Sequence, residues 1–339
     1  IGAVRSKVLD SLDTVRLDPT NPLLDKAFVY GMVVQHEHQH DETMLATHQL
    51  RRGAAVLDDT TPEPAPADAG RLPVEVLVPA GTFTMGTSEE AWAYDNERPG
   101  HDVHVPAFWL DTTPAANRAY VSFVEAGGYA DPRWWTEAGW DWRSRSGKRS
   151  PAFWLREGGQ WLRRRFARVE PLPMDQPVQH VCCHEADAYA RWAGRRLPTE
   201  AEWEKAATWD PAAGRKRRFP WGDEPPTAAR ANVGARHHQP APVGSYPAGA
   251  SPFGARQLVG DVWEWTDSGF HAYPGFRSFP YREYSEVFFG RDYRVLRGGS
   301  WATDPTACRA TFRNWDHPVR RQIFAGFRTA RDAAPGEGV

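Results

Sequence analysis

Three histidines crowd one short stretch of the chain, Gln35-His36-Glu37-His38-Gln39-His40-Asp41-Glu42. His36 and His40 are four residues apart, so on a helix they sit one turn apart on one face, where two imidazoles can converge on a metal ion. At about 100° per residue, Met32, Thr43 and Thr47 fall near the His36 direction and Gln39 lies about 60° to its side. Glu42 lies about 120° and His38 about 160° from His36. Gln39 can therefore border a metal site, whereas Glu42 reads as an orienting or packing residue. Two imidazoles do not complete a site. Catalytic zinc takes three protein ligands, and non-haem Fe(II) takes a facial set of three that leaves positions for O2 and substrate. No His occurs in residues 1–35. The third ligand is expected far downstream or in helices preceding Ile1.

The element that must carry this face is a helix. Residues 23–53 contain no Pro and stop on Arg51, Arg52 and Gly53, a usual helix ending. Before it, Val4, Val8, Leu9, Leu12 and Val15 form one apolar stripe at helical spacing. Residues 1–55 are thus read as helical, the polar, Pro- and Ala-rich residues 56–73 as a linker, and residues 74–332 as a second domain. Within that domain, residues 74–86 and 101–111 are β-rich pieces bounded by Gly and Pro. Helices are expected at 117–128, 185–196 and 197–209, the last opened by a Thr199/Glu202 capping box. Residues 210–335 read as turns, loops and short strands.

Composition agrees with a folded, loop-rich protein of about two domains. The 339 residues include 29 Gly, 29 Pro and 16 Trp against 4 Met, with 41% hydrophobic residues. Every Trp lies after the linker, which suits rigid, irregular packing. A net charge of −2 gives no electrostatic case for nucleic acid or an anionic membrane. No apolar run approaches the ~18–20 residues of a membrane span. Cys182, Cys183 and Cys308 are an odd set and no disulfide framework, so a reducing cytoplasm is expected.

The motif His36-x3-His40-x-Glu42 resembles the iron-binding motif in the DinB-like helical domain of ergothioneine-biosynthesis sulfoxide synthases. The stretches VPAGTFTMG (78–86), RRLPTEAEWEKAA (195–207), FPWGD (219–223), LVGDVWEWT (258–266) and RVLRGGSW (294–301) resemble the formylglycine-generating-enzyme/sulfatase-modifying fold. The tail FRNWDHPVRRQIFAGFR (312–328) is similar to the sulfoxide synthases in particular. The implied fold is α+β: part of a DinB-like bundle followed by a C-type-lectin-like domain rich in loops. Formylglycine-generating enzymes carry two active-site Cys after RGGS. Here Thr303 stands at the first position and Cys308 near the second, which argues against their copper–dithiolate chemistry.

The resemblance implies an Fe(II)- and O2-dependent, cytoplasmic oxidoreductase. It would join the thiol of γ-glutamylcysteine to the imidazole of hercynine (N-trimethylhistidine) and yield a sulfoxide. By resemblance, His36 and His40 hold iron, and Asn314, Trp315 and Asp316 line the substrate pocket opposite Gln39. Asp316 would pair with the substrate ammonium, and Trp315 would offer it an aromatic face. Arg320 or Arg321 would bind a carboxylate of the thiol donor. A tyrosine hydroxyl would donate a proton or hydrogen atom; among Tyr273, Tyr281 and Tyr284, Tyr281 is preferred. Two other outcomes remain: a relative of selenoneine or ovothiol type, or a non-catalytic lectin-like module. His101, His104, Cys182, Cys183, Trp263 and Trp265 read as structural, and Glu264 should face away from its two Trp neighbours. Asp261 and Asp223 are candidates for a structural Ca2+ site, which related lectin-like folds sometimes bind.

Overall fold

A computed structural model describes residues 2–57 and 60–337. Two helices lead. In α1 (Gly2–Thr14) the apolar stripe forms but is exposed, and among the described residues nothing buries it. α2 (Phe28–Gln49) follows a left-handed residue at Ala27 and ends just before Arg51. No helix among the described residues is long and apolar enough to cross a membrane.

The second domain is a set of small sheets. Its strands and helices run β1 (Glu75–Val78), β2 (Gly81–Met85), β3 (His101–Val105), β4 (Phe108–Asp111), α3 (Asn117–Glu125) and α4 (Glu137–Ser146), then β5 (Trp154–Glu157), β6 (Gln160–Arg165) and β7 (Arg168–Pro171). There follow α5 (Cys183–Trp192), α6 (Glu200–Thr208), β8 (Trp209–Asp210), β9 (Arg215–Lys216), β10 (Trp263–Gly269), β11 (Arg294–Arg297), β12 (Asn314–Asp316), β13 (Ala325–Gly326) and β14 (Ala330–Asp332). A four-stranded sheet of order β12-β11-β10-β13 lies at the centre, antiparallel except where β13 runs parallel to β10. A second sheet, β1-β4-β14, sets the last strand, β14, against β4, on the side away from β1. β2 and β3 pair as a hairpin, and β5-β6-β7 form a meander. α5 and α6 pack on β10. The capping box of α6 forms as its sequence requires: the Glu202 amide donates to Thr199 Oγ1 at 3.2 Å, and the Thr199 amide donates to Glu202 Oε2 at 2.7 Å.

The Trp excess goes largely into the interior. Trp203, Trp265 and Trp301 are fully buried, and Trp135, Trp154 and Trp161 join Tyr120, Phe123 and Phe327 in one aromatic cluster. Aromatic rings alone do not close this core. Four buried arginines thread it, each answered by a buried carboxylate: Arg309 by Glu97, Arg313 by Glu200, Arg328 by Glu264, and Arg297 by both Glu200 and Glu204. Glu264 also accepts from Trp203 Nε1 at 2.8 Å. Glu204 additionally accepts the Gly86 amide at 2.7 Å and pairs with Lys216. Burial by itself would raise both the Glu97 and Glu204 carboxyls. The adjacent Arg309, and Lys216 with Arg297, outweigh it and hold both below the ordinary value.

A carboxylate with a depressed native pKa contributes stability above its unfolded pKa and loses that contribution as pH falls toward the native value. The protein should therefore lose stability as pH drops below about 4, the unfolded carboxylate range. Glu204→Ala, which leaves Arg297 and Lys216 without their shared anion, should cost about 3–5 kcal/mol at neutral pH. Urea unfolding of parent and variant at pH 7 and pH 4 measures both effects, with the gap between them narrower at the lower pH.

Candidate functional site

α2 docks on the second domain with a polar face. Gln35, Gln39, Glu42, Ala46 and Gln49 recur at spacings of four and three, within about 80° around the helix. Each polar member has a fixed partner. Gln35 Nε2 donates to the Trp92 carbonyl at 3.0 Å, and its Oε1 accepts from Arg309. Gln39 Nε2 donates to the hydroxyls of Tyr94 and Tyr284, both at 3.2 Å. Glu42 accepts Trp263 Nε1 (2.8 Å) and Ser300 Oγ (2.6 Å) on one oxygen and Thr303 Oγ1 (2.8 Å) on the other. Gln49 donates to the Arg164 carbonyl and accepts the Phe166 amide, both at 2.8 Å. Gly31 lets the Trp92 ring lie against the helix, where an added Cβ would come within 2.3 Å of it.

This seam sets where the histidines point. His36 and His40 leave the helix about 100° and 140° from the Gln35 direction. Their rings face each other with centroids 4.5 Å apart, and His36 meets the edge of Tyr284 at 6.4 Å. His38 lies on the opposite flank, 3.6 Å from Asp304. The pair's donor set, two imidazoles on one turn, fits two ligand positions of a non-haem Fe(II) or Zn2+. Among the described residues no third His, Cys, Asp or Glu completes a metal group. Glu42 is spent on its three donors. Burial pushes its carboxyl above the ordinary range, and hydrogen bonds from Ser300, Thr303 and Trp263 pull it back.

On the same flank a cavity of about 250 Å³ opens between α2 and the central sheet, lined among others by Gln39, Thr43, Asn314, Asp316, Arg320 and Phe324. β12 explains which of its residues reach it. Alternate side chains of a strand point to opposite faces, so Asn314 and Asp316 line the cavity while Trp315 does not. The Trp315 ring instead stacks on Phe270, at 4.3 Å and 7°, and abuts Tyr284 edge-on at 5.8 Å. In this structure the Trp315 ring stands behind Tyr284 rather than on the wall of this cavity. Asp316 Oδ2 lies 3.4 Å from Arg320 Nε, and burial raises the Asp316 carboxyl. Arg321 is not available to a ligand: it forks onto Glu185 with two 2.9 Å contacts.

The three tyrosines separate clearly. Tyr273 is a core residue with Arg313 4.1 Å over its ring. Tyr284 stacks on Tyr94 at 4.3 Å and engages Gln39 through its hydroxyl; burial pushes that phenol well above its usual pKa. Tyr281, 39% exposed, stands edge-on to Tyr284 at 6.3 Å, and its hydroxyl makes no hydrogen bond among the described residues. Sequence reasoning missed Tyr94, Ser300 and Thr303 as partners of the helix. The RGGS stretch marked the neighbourhood of Ser300 and Thr303, and nothing marked Tyr94.

The calcium expectation is corrected. Asp261 spends both oxygens on Asn232 (2.9 Å), the Ala241 amide (2.7 Å) and Gln257 (2.9 Å). Asp223 pairs with Arg215 and accepts the Arg218 amide. The two carboxylates share no partner and are already satisfied by N–H donors. All three cysteines are free and buried, and burial raises the Cys308 thiol to about 12, which removes it as a ready thiolate.

Residues 60–333 match the sulfatase-modifying factor enzyme 1-like domain. The hercynine oxygenase of Mycolicibacterium thermoresistibile is 53% identical over 97% of this chain and 73% of its own length. That of Mycobacterium tuberculosis is 53% identical over 97% of this chain and 76% of its own. PvdO from Pseudomonas aeruginosa shares the fold, with a TM-score of 0.53 at 23% identity, over 76% of this chain and 94% of PvdO. With the match running through the central sheet, the buried arginines and the β12 side of the cavity, the chain belongs to the sulfatase-modifying factor enzyme 1-like family.

Proposed function

We propose that this protein is a hercynine-oxidising enzyme of ergothioneine biosynthesis, an Fe(II)- and O2-dependent synthase that joins hercynine to γ-glutamylcysteine. The carrying observation is that the chain's similarity to hercynine oxygenases runs through α2 as well as the sheet domain. The paired imidazoles and the cavity of Gln39, Asn314 and Asp316 thus fall inside the matched span. In this reading α1 and α2 belong to a DinB-like helical unit, and His36 and His40 hold the iron together with a ligand outside the described residues. Bound there, Fe(II) would supply the redox chemistry that O2 activation needs.

The chain's own residues then have distinct tasks. Asp316, a carboxylate whose burial raises its pKa, is suited to a cationic partner such as the trimethylammonium of hercynine. Asn314 and Gln39 offer amide donors and acceptors to the substrate's polar groups. Arg320, whose side chain is about half exposed at the cavity mouth, can fork onto a carboxylate of the thiol donor. Tyr281 keeps a free hydroxyl beside the Tyr284–His36 cluster, which suits a residue that must give up a proton or hydrogen atom. Tyr284 and Trp315 hold the ring wall behind it. The buried, free cysteines support a reducing, cytoplasmic setting.

Anaerobically purified protein loaded with Fe(II), then mixed with O2, hercynine and γ-glutamylcysteine, should form the sulfoxide adduct detectable by mass spectrometry. Histidine in place of hercynine should give little product. Absence of any hercynine–thiol adduct with iron bound would sink the reading. His36→Ala and His40→Ala should each reduce product formation by at least about 100-fold and weaken iron binding in equilibrium dialysis. Tyr281→Phe should slow sulfoxide formation by about 100-fold or more while leaving hercynine binding within a few-fold of the parent.

A further inference from the structure

We propose that Glu42 is a positioning residue for this reaction, one that couples the helix bearing His36 and His40 to the sheet bearing Asn314 and Asp316. The proposal rests on the function proposed above and deepens it. Its basis is where the three donors to Glu42 come from. Trp263 lies on β10, and Ser300 and Thr303 lie on the loop directly after β11. β11 is the strand paired with β12 in the central sheet, and β10 is the next strand beyond it. Gln49 is tied to the β6–β7 turn, and Gln35 to the Trp92 carbonyl and Arg309. Within the seam, Glu42 bonds directly to β10 and to the loop after β11, in the sheet that supplies the other half of the cavity.

The donors are themselves held. Ser300 Oγ accepts the Ala302 amide at 3.1 Å, and Thr303 Oγ1 accepts the Ser300 amide at 2.8 Å. Ser300, Thr303 and Trp263 are all buried. A carboxylate that accepts three oriented donors from a rigid loop and a strand fixes both the rotation of the helix and its position along its axis. The chemistry is sensitive to that rotation. A turn of about 10° moves a side-chain tip ~6 Å from the helix axis by about 1 Å. Misplacement of about 1 Å at a reacting centre costs on the order of 100-fold. Glu42 borders the cavity, but both of its oxygens are taken by Trp263, Ser300 and Thr303, so we assign its effect to the helix it holds.

The test compares Glu42→Ala, Glu42→Gln and the double variant S300A/T303V, all as the Fe(II)-loaded full chain. Glutamine keeps an oxygen for Trp263 and Ser300 and turns an amide toward Thr303, so E42Q should retain kcat within about threefold. E42A should lose about 30- to 100-fold in kcat with a smaller rise in the KM for hercynine. S300A/T303V should follow E42A, and adding it to E42A should cost little more, since both break one clamp. Hydrogen exchange of the metal-free proteins should show faster exchange along α2 in E42A and in the double variant, and parental exchange in E42Q. If E42A does not fold, the double variant carries the comparison by the same criteria. The proposal is overturned if E42Q is as impaired as E42A while S300A/T303V behaves as the parent, the pattern of a ligand or acid–base group. It is equally overturned if kcat and α2 exchange are unchanged in E42A. Product formation by the parent tests the function itself, so the two failures are distinguishable.

Discussion

The buried pair Glu97–Arg309 is the constraint from which the site is built. A guanidinium out of water must have its donors answered, because an unpaired buried charge costs far more than a hydrogen bond returns. Glu97 answers two sides of Arg309 and also accepts from Thr311 Oγ1 at 2.7 Å and the Tyr94 amide at 2.9 Å. The remaining nitrogen of Arg309 is answered by Gln35 of α2. The ionic core of the sheet domain therefore reaches out and takes hold of the helix. The Tyr94 backbone tethered by Glu97 carries the phenol that meets Gln39 one turn further along. Core charge, helix and cavity wall form one connected polar network, and such networks specify a unique arrangement when every member is satisfied.

A polar seam also accounts for how α2 is held without a greasy face. An apolar stripe would bury more area but would tolerate rotation, since hydrophobic contact is non-directional. Amide and carboxylate groups on the inward face can be satisfied in only one register. The same trade is known where a buried polar residue fixes the register of paired helices at a cost in stability. For a helix whose outward flank must aim two imidazoles, register is the property that matters.

That choice decides what could be read from the sequence. The i, i+4 histidines and the place of Gln39 beside them follow from helical geometry alone. The docking face does not, because it inverts the usual pattern. Gln35 and Gln49 are buried, while Val33, Val34 and Met44 are 51%, 42% and 61% exposed. The meander of β5, β6 and β7 stayed unread for a related reason. On β6 the inward positions after Trp161 are Arg163 and Arg165, buried against Glu170, so an arginine-rich run that looks solvated lines an interior. Capping box, short strands and the α5 and α6 helices were legible because their local chemistry and tertiary role agree. The strand face that Trp315 takes was not legible, because resemblance names a residue without saying where its side chain points.

The loop after β11 shows how one fold takes on different work. Resemblance to formylglycine-generating enzymes would put reactive thiols near Thr303 and Cys308. Here the first position is a hydroxyl that donates to Glu42, and the second is a thiol whose pKa burial has raised to about 12. Gly299 brings the two close together: a Cβ there would lie 3.3 Å from Cys308 Sγ and 3.4 Å from Thr303 Cβ. A thiolate at position 303 would set a second anion against the buried Glu42 carboxylate, with like-charge repulsion in a low dielectric. A reactive thiolate in this loop would therefore be opposed by a helix carboxylate docked on it. In this chain the position carries a hydroxyl that donates to Glu42, so the same loop serves to seat α2.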